Sequence, residues 1–144
     1  MARMELRMPD DFLDQLSRLA DKTDKIVPRV LNAGGHVVLD SVREHLEAVV
    51  GQNTKHPSRS TGELVNALGI SGARLDRNGN MNVRIGFREP RRGGDIANAK
   101  LAGILEHGKH GQPPKPFMKP ARIASRQRCI ERMRQVFEQE VARL

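Results

Sequence analysis

The residues of this chain that could do chemistry are concentrated near position 106. Glu106 and His107 are adjacent, and His110 follows three residues later. Carboxylate and imidazole groups are good zinc ligands, so a metal site is one interpretation. Gly108 separates the two histidines and is typical of a helix end, so the i, i+4 geometry of a zinc-binding helix is missing. The favoured interpretation is that Glu106 and His107 are hydrogen-bonded at a helix end or at a subunit contact.

Two other groups could be reactive or bind a ligand. Cys129 is the only cysteine, and Arg126, Arg128 and Arg132 could lower the pKa of its thiol. Its place beside an apolar helical stripe instead favours a packed cysteine. The run Arg91-Arg92-Gly93-Gly94 lacks the Gly-x-x-x-x-Gly-Lys-Ser/Thr order of a nucleotide-binding loop. No pair of carboxylates stands out as an acid/base couple. We therefore expect no catalytic, cofactor-binding or metal-binding residues, and no enzymatic activity.

The segment around the histidines leads into a proline-rich loop. Each proline fixes its φ angle and lacks an N–H, so the loop is expected to be stiff and extended. A rigid loop that presents apolar side chains suits docking, with Phe117 and Met118 as its anchors. The residues expected to contact a partner or a second subunit are Glu106, His107, Pro113, Pro114, Pro116, Phe117, Met118 and Pro120.

The charge of the chain is positive and unevenly distributed. The formal net charge is +8, yet residues 1–50 carry more acidic than basic groups. The basic part could attract nucleic acid, pair with acidic residues of a neighbouring subunit such as Asp10, Asp11 and Asp14, or form a solvated surface. Pairing between subunits is slightly favoured over DNA contact. Contact with DNA would be made to phosphates, and the candidate residues are Arg84, Arg88, Arg91, Arg92, Lys115 and Lys119.

The composition of the chain limits the number of domains, the kinds of ligand and the cellular location that we expect. The 144 residues fit a single domain, 1–144. There are four Phe and no Trp or Tyr, which argues against aromatic platforms for single-stranded nucleic acid. No stretch approaches the roughly 18 consecutive apolar residues of a membrane span. The first residues lack the apolar region of a signal peptide, so we expect folding in a reducing cytoplasm.

The candidate residues must be positioned by secondary structure, and the first 50 residues are expected to be mainly helical. Pro9-Asp10-Asp11 is expected to open a first helix, and Asp24 to cap a second, longer helix that ends near Val50. In this second helix Pro28 would fall in the first turn. Gly34-Gly35 lies in mid-helix, where glycine is unfavourable. Close packing against another helix or subunit is the favoured explanation, and a bend or a break into two helices stays open.

The second half is expected to combine a hairpin with two helices. After a short helix that begins near Thr61, segments 69–76 and 81–87 alternate like strands, joined by a turn at Asn78-Gly79. Helices are expected over 96–107 and 119–144, the latter with a single apolar stripe. A short strand is expected at 4–8, and flexible segments at 51–60 and 89–95. The predicted fold is therefore α+β: a small antiparallel sheet packed by the long helix and the C-terminal helix.

Two sequence elements resemble the tail-component proteins of long-tailed bacteriophages. One is an alanine-containing helix that ends in Glu-His-Gly and is followed by a Pro-Phe-x-x-Pro-Ala element. The other is a Thr-Gly-x-Leu element before the strands. The residues that carry the resemblance are Ala97, Ala102, Glu106, His107, Gly108, Pro116, Phe117, Pro120 and Ala121, together with Thr61-Gly62-Glu63-Leu64. His107 stands where the family often has an aromatic residue.

The resemblance implies a structural protein of the virion. It would be a tail-completion or neck subunit that forms a homo-oligomeric ring, a hexamer by family analogy, and joins the tail to the head connector. Its implied partners are other copies of itself, the head connector and neck proteins, a tail terminator or tail tube, and double-stranded DNA in a channel. The alternative function is a sequence-nonspecific basic DNA-binding protein.

Overall fold

The structure, a computed structural model, describes residues 10–50, 63–89 and 97–144. The helices are α1 (Asp10–Val49), α2 (Glu63–Ala67), α3 (Asn98–His107) and α4 (Met118–Ala142). The strands are β1 (Leu68–Ile70), β2 (Arg74–Leu75), β3 (Met81–Asn82) and β4 (Ile85–Phe87). This arrangement confirms the α+β class. The strand predicted at 4–8, the linker at 51–60 and most of the loop at 89–95 lie outside the described residues.

The first two predicted helices are one continuous helix. The expected helix start at Asp24 is wrong, and Pro28 lies inside α1 rather than in a first turn. Proline in a helix interior costs about 3 kcal/mol relative to alanine. This cost is offset by the burial of apolar side chains on both sides of the proline along the chain. Ile26 precedes Pro28, and Leu39, Val42 and Leu46 follow it in the core.

Gly34 and Gly35 mark the place where other elements approach α1 most closely. A Cβ atom on Gly34 would lie 2.5 Å from Cγ of Met133 in α4. A Cβ on Gly35 would lie 2.5 Å from Cδ1 of Ile70 in β1. Two consecutive glycines thus allow α4 to pack on one side of α1 and the sheet on the other. The close-packing interpretation is confirmed, and α1 does not break in two at this point.

Helices α1 and α4 run antiparallel along a seam of small residues. Arg29 pairs with Glu140 at 2.9 Å near one end, and Ser41 Oγ donates to the Ala121 carbonyl at 3.1 Å near the other. The buried residues of α4 are Ala121, Ser125 and Val136. Of the apolar stripe predicted for this helix, Ile123, Ile130 and Phe137 are exposed, whereas Met133 lies against Gly34 of α1.

The predicted hairpin exists but is interrupted. Strand β1 pairs antiparallel with β4, and β2 pairs antiparallel with β3. Between the two ladders, Arg84 N–H donates to the Ser71 side chain at 2.9 Å instead of to a backbone carbonyl. The turn is closed by Asp76, whose Oδ1 accepts from the amides of Asn78 and Asn80, and Gly79 has the expected positive φ of 80°.

The core lies where α1, the β1–β4 ladder, α3 and the start of α4 meet. Leu46 and Phe117 are completely buried there, and the rings of Phe117 and Phe87 meet edge to face at 6.2 Å. Among the helices that the structure describes, none combines the length and apolarity needed to cross a membrane.

Candidate functional site: the Glu106 junction and the surfaces around it

The carboxylate of Glu106 joins α3 to the beginning of α4. Its Oε2 accepts the backbone N–H groups of Phe117 and Met118 at 2.8 and 2.9 Å, and its Oε1 accepts that of Lys119 at 3.0 Å. The first amides of a helix have no partner within the helix and carry the positive end of its dipole. Glu106 therefore caps α4 from another element of the chain.

Every backbone donor at the start of α4 is accounted for. Phe117, the N-cap residue, has no capping side chain of its own, so Glu106 supplies the acceptors. Pro120 has no N–H to satisfy. Ala121 N–H donates to the Phe117 carbonyl at 3.1 Å. The Pro-Phe-x-x-Pro-Ala element thus begins a helix that depends on a distant glutamate.

The same hydrogen bonds set the protonation of Glu106. Burial alone would raise the pKa of this carboxyl group. The three amides, with a further contribution from the charge of His107, outweigh burial and hold the pKa below its ordinary value of 4.5. The prediction that Glu106 is hydrogen-bonded at a helix end is confirmed, and these amide bonds are a structural role for the carboxylate.

The loop between α3 and α4 is held by backbone hydrogen bonds. Gly108 ends α3 with φ of 77° and ψ of 175°, a combination that is almost confined to glycine. Lys109 and Gln112 exchange two backbone hydrogen bonds around Gly111. Lys115 N–H donates to the Leu105 carbonyl at 2.7 Å. These bonds give the loop a defined course back to α4.

Phe117 is a core residue, which corrects its predicted role as an exposed anchor. Its side chain has no exposed surface, and it packs in the core cluster with Leu46, Phe87 and Ala102. A ring that is already buried in the chain cannot serve as a docking side chain without unfolding its surroundings. Met118 is only half-buried.

The other residues of the predicted contact surface differ in exposure. His107, Pro113, Pro114 and Pro116 are exposed, whereas Glu106 and Pro120 are half-buried. A cleft adjoins this surface, with an apolar floor and a polar rim. Its lining residues are Val38, Val42, Ile85, Glu106, His107, Met118, Lys119 and Arg122. The contact itself stays a prediction. With Phe117 buried, the feature of this surface that suits a contact is this cleft, which could receive an apolar group of a partner.

The predicted DNA-facing residues that the structure describes are distributed over more than one place on the surface. Arg84 and Arg88 are exposed and line a groove along β1 and β4. Lys119 is exposed at the rim of the cleft, next to Arg122. Lys115 is half-buried, while Arg91 and Arg92 lie outside the described residues.

The structure shows the surroundings of Cys129 and of the possible metal ligands, the groups that the sequence suggested as candidates for chemistry. Cys129 is half-buried, and burial raises the pKa of its thiol. The alternative of a pKa lowered by neighbouring arginines is therefore wrong, whereas the favoured packed cysteine agrees with the position of its sulfur beside Gly34. Over residues 10–50, 63–89 and 97–144, no group of three or more His, Cys, Asp or Glu side chains could hold a metal ion.

Sequence reasoning missed two features of the site. The capping role of Glu106 was signalled by the lack of Ser, Thr, Asp or Asn at position 117, since a helix without a local N-cap needs another acceptor. The second feature is the exposure of the α4 stripe. Its signal was the pair of small residues Ala121 and Ser125, which lie one turn apart on the buried face of α4.

The fold and the site together define a small α+β protein with two long antiparallel helices and a proline-containing loop that leads into the second of them. Residues 10–108 match the HK97-gp10-like family model, described as "Bacteriophage HK97-gp10, putative tail-component". The chain therefore belongs to the HK97-gp10-like family of bacteriophage tail components, which implies a place in the virion. The match includes Glu106 and ends at Gly108, before the Pro-Phe-x-x-Pro-Ala element. No curated protein and no solved structure matches the chain.

Proposed function

We propose that this tail component is a tail-completion or neck subunit, which forms a homo-oligomeric ring and joins the tail to the head connector. The family supplies the class, a phage tail component. The observation that supports self-assembly is the exposure of apolar side chains on both long helices, at Leu13 and Leu16 of α1 and at Ile130 and Phe137 of α4. Apolar rows of this kind on a monomer are typical of protein–protein contact surfaces.

The proposed ring has a direct test. Native mass spectrometry over a range of concentrations, with negative-stain images of the same sample, measures the stoichiometry and the shape of the assembly. A closed ring of identical subunits, six by family analogy, is expected. A chain that stays monomeric at high concentration, both alone and with its tail partners, would contradict the proposal.

The contact with the neighbouring virion protein is proposed at the cleft beside the Glu106 junction. Its apolar floor could receive a side chain of the head connector, neck protein, tail terminator or tail tube, while His107 and Lys119 lie at the rim. Met118→Asp places a charge in this cleft without removing the buried Phe117. We expect this variant to form the ring normally and to bind its virion partner less tightly.

The proposed role is binding, without catalysis. The carboxylate of Glu106 is occupied by three backbone amides, and the pKa of the Cys129 thiol is raised, so neither group is prepared for acid/base or nucleophilic work. We further propose that the subunit assembles in the cytoplasm of the bacterial host and then remains in the virion.

Contact with double-stranded DNA is the second candidate, and the exposed Arg84 and Arg88 in one groove favour it. In a ring, such a groove could line the channel through which DNA passes. Phosphate contacts predict that affinity falls steeply with salt, and that Arg84→Glu with Arg88→Glu lowers both the affinity and the salt slope. Lack of retention on DNA at physiological salt would leave these arginines as solvated surface.

A further inference from the structure

The first four turns of α1 have little cover from the rest of the described chain. Over residues 10–25, every side chain whose exposure the structure gives is exposed, except the half-buried Leu19. Leu13 and Leu16 are 46% and 42% exposed. At 1.5 Å per residue this segment is about 24 Å long. It projects beyond α4, because Glu140 near the end of α4 pairs with Arg29.

The apolar row on this segment continues a face that is used for helix packing further along α1. Leu16, Leu19, Ile26 and Val30 follow spacings of three, seven and four residues, which keep them on one side of the helix. Gly34 on this side contacts α4. The segment therefore presents a helix-packing face past the point where its own α4 ends.

A second unpartnered apolar row runs along the outside of α4. Ile123, Ile130 and Phe137 are 66%, 38% and 43% exposed. Their spacing of seven residues places them on one face over about 21 Å. Arg126 and Arg134 lie between them on the same face and are also exposed.

The exposed segment of α1 (residues 10–25) and the outer row of α4 (Ile123, Ile130 and Phe137) are similar in length, and the charges of the two helical regions are opposite. Residues 10–25 contain five Asp and three Lys or Arg, and Asp10, Asp14 and Asp21 lie in one row beside Leu13. Helix α4 contains six Lys or Arg and three Glu. Opposite charges across an apolar contact fix its register and discourage pairing of like segments.

We propose that residues 10–25 of α1 from one copy of this chain dock on the outer row of α4 (Ile123, Ile130 and Phe137) of a second copy. The acidic row then faces Arg126 and Arg134. Because the two surfaces are different, the contact is head-to-tail, and repetition of it produces a ring when the rotation closes. This inference rests on the proposed self-assembly and specifies its interface.

Directed disulfide formation tests the interface. In a Cys129→Ala background, chains with Leu16→Cys are mixed with chains that carry Ile130→Cys, and the products are separated by mass. We expect a disulfide-linked pair that contains one chain of each kind. Ala124→Cys is the matched control, since that exposed residue is turned about 100° away from Ile123 and should give little of this product.

Charge reversal provides an independent test that avoids cysteine. Asp14→Lys with Asp21→Lys, or Arg126→Glu with Arg134→Glu, should each weaken association about tenfold. The four changes combined in one chain should restore it. Circular dichroism of each variant checks that its helices are intact.

The outcomes separate the interface from the proposed function. A ring whose variants give no mixed disulfide and no charge rescue overturns this interface and leaves the ring standing. Cross-linking of Leu16→Cys chains to one another would show α1–α1 pairing instead. A chain that is monomeric under all conditions overturns both the interface and the ring.

Discussion

The carboxylate of Glu106 is expected to be a main determinant of how firmly α4 is attached to the rest of the chain. It accepts three backbone N–H groups of another helix, at Phe117, Met118 and Lys119. Glu106→Ala removes all three acceptors. Glu106→Gln keeps one oxygen, which can still accept from Phe117 and Met118, but loses the negative charge and the second acceptor.

The magnitude follows from the number and type of these bonds. Loss of a helix N-cap typically costs about 1 kcal/mol, and hydrogen bonds to charged groups contribute about 1.5–3 kcal/mol each. Glu106 is only half-buried, so water can replace part of what is lost. We therefore expect Glu106→Ala to lower the free energy of unfolding by about 2–3 kcal/mol, and Glu106→Gln by about 1–2 kcal/mol.

The pH dependence gives this prediction a definite sign. Because the pKa of Glu106 is lowered by folding, its contribution to stability is complete above the unfolded value of 4.5 and is lost as the pH falls through the folded pKa. The stability difference between wild type and Glu106→Gln should therefore shrink on acidification. This difference is measured by urea unfolding at pH 7 and at pH values below 4.5, followed by far-ultraviolet circular dichroism.

A matched control isolates the capping contribution. Glu138→Gln removes the charge of an exposed glutamate on α4 and should change stability by less than about 0.5 kcal/mol. Equal effects of Glu106→Gln and Glu138→Gln at pH 7 would refute the capping argument. So would a difference between wild type and Glu106→Gln that grows on acidification.

Four further substitutions test the packing of the fold, each by urea unfolding. Phe117→Ala should destabilise the monomer by about 3–5 kcal/mol, as loss of a buried ring does, so any loss of assembly would follow from unfolding. Gly34→Ala should cost about 1–2 kcal/mol through its clash with Met133, whereas Gly103→Ala on α3 has open space and should stabilise by about 0.5–1 kcal/mol. Asp76→Ala should cost about 1 kcal/mol by removing an acceptor for two turn amides.

Each of these predictions has a result that would contradict it. A folded Phe117→Ala chain of wild-type stability that fails to assemble would restore the anchor role of that ring. Equal stabilisation by the two glycine substitutions would show that Gly34 is not a close contact. Asp76→Asn, which keeps an acceptor oxygen, should lose less than Asp76→Ala, and the reverse order would argue against the turn hydrogen bonds.

The sequence predicted those features that depend on local chemistry. The turn at Gly79, the end of α3 at Gly108 and the alternation around Ile85 are set by the conformational preferences of a few neighbouring residues. The interruption of the hairpin was not predicted, since it depends on the Ser71 side chain taking the place of a backbone acceptor for Arg84.

Features that depend on tertiary contacts were predicted less well. Pro28 resembled a helix start, yet burial of residues on both sides keeps α1 continuous. Gly34 correctly indicated close packing, but its partner Met133 lies far away in the sequence. The large apolar residues of α4 suggested its buried face, whereas the small residues Ala121 and Ser125 are buried and Ile123, Ile130 and Phe137 are exposed.

Removal of this subunit from particle assembly tests the central claim most directly. In a phage or prophage that encodes the chain, a nonsense mutation should leave DNA-filled heads and finished tails that are not joined. Addition of the purified chain to a mixture of the two should then produce joined particles, counted by electron microscopy. Joined particles without the chain, or a complete lack of tails, would contradict a role in joining the tail to the head connector.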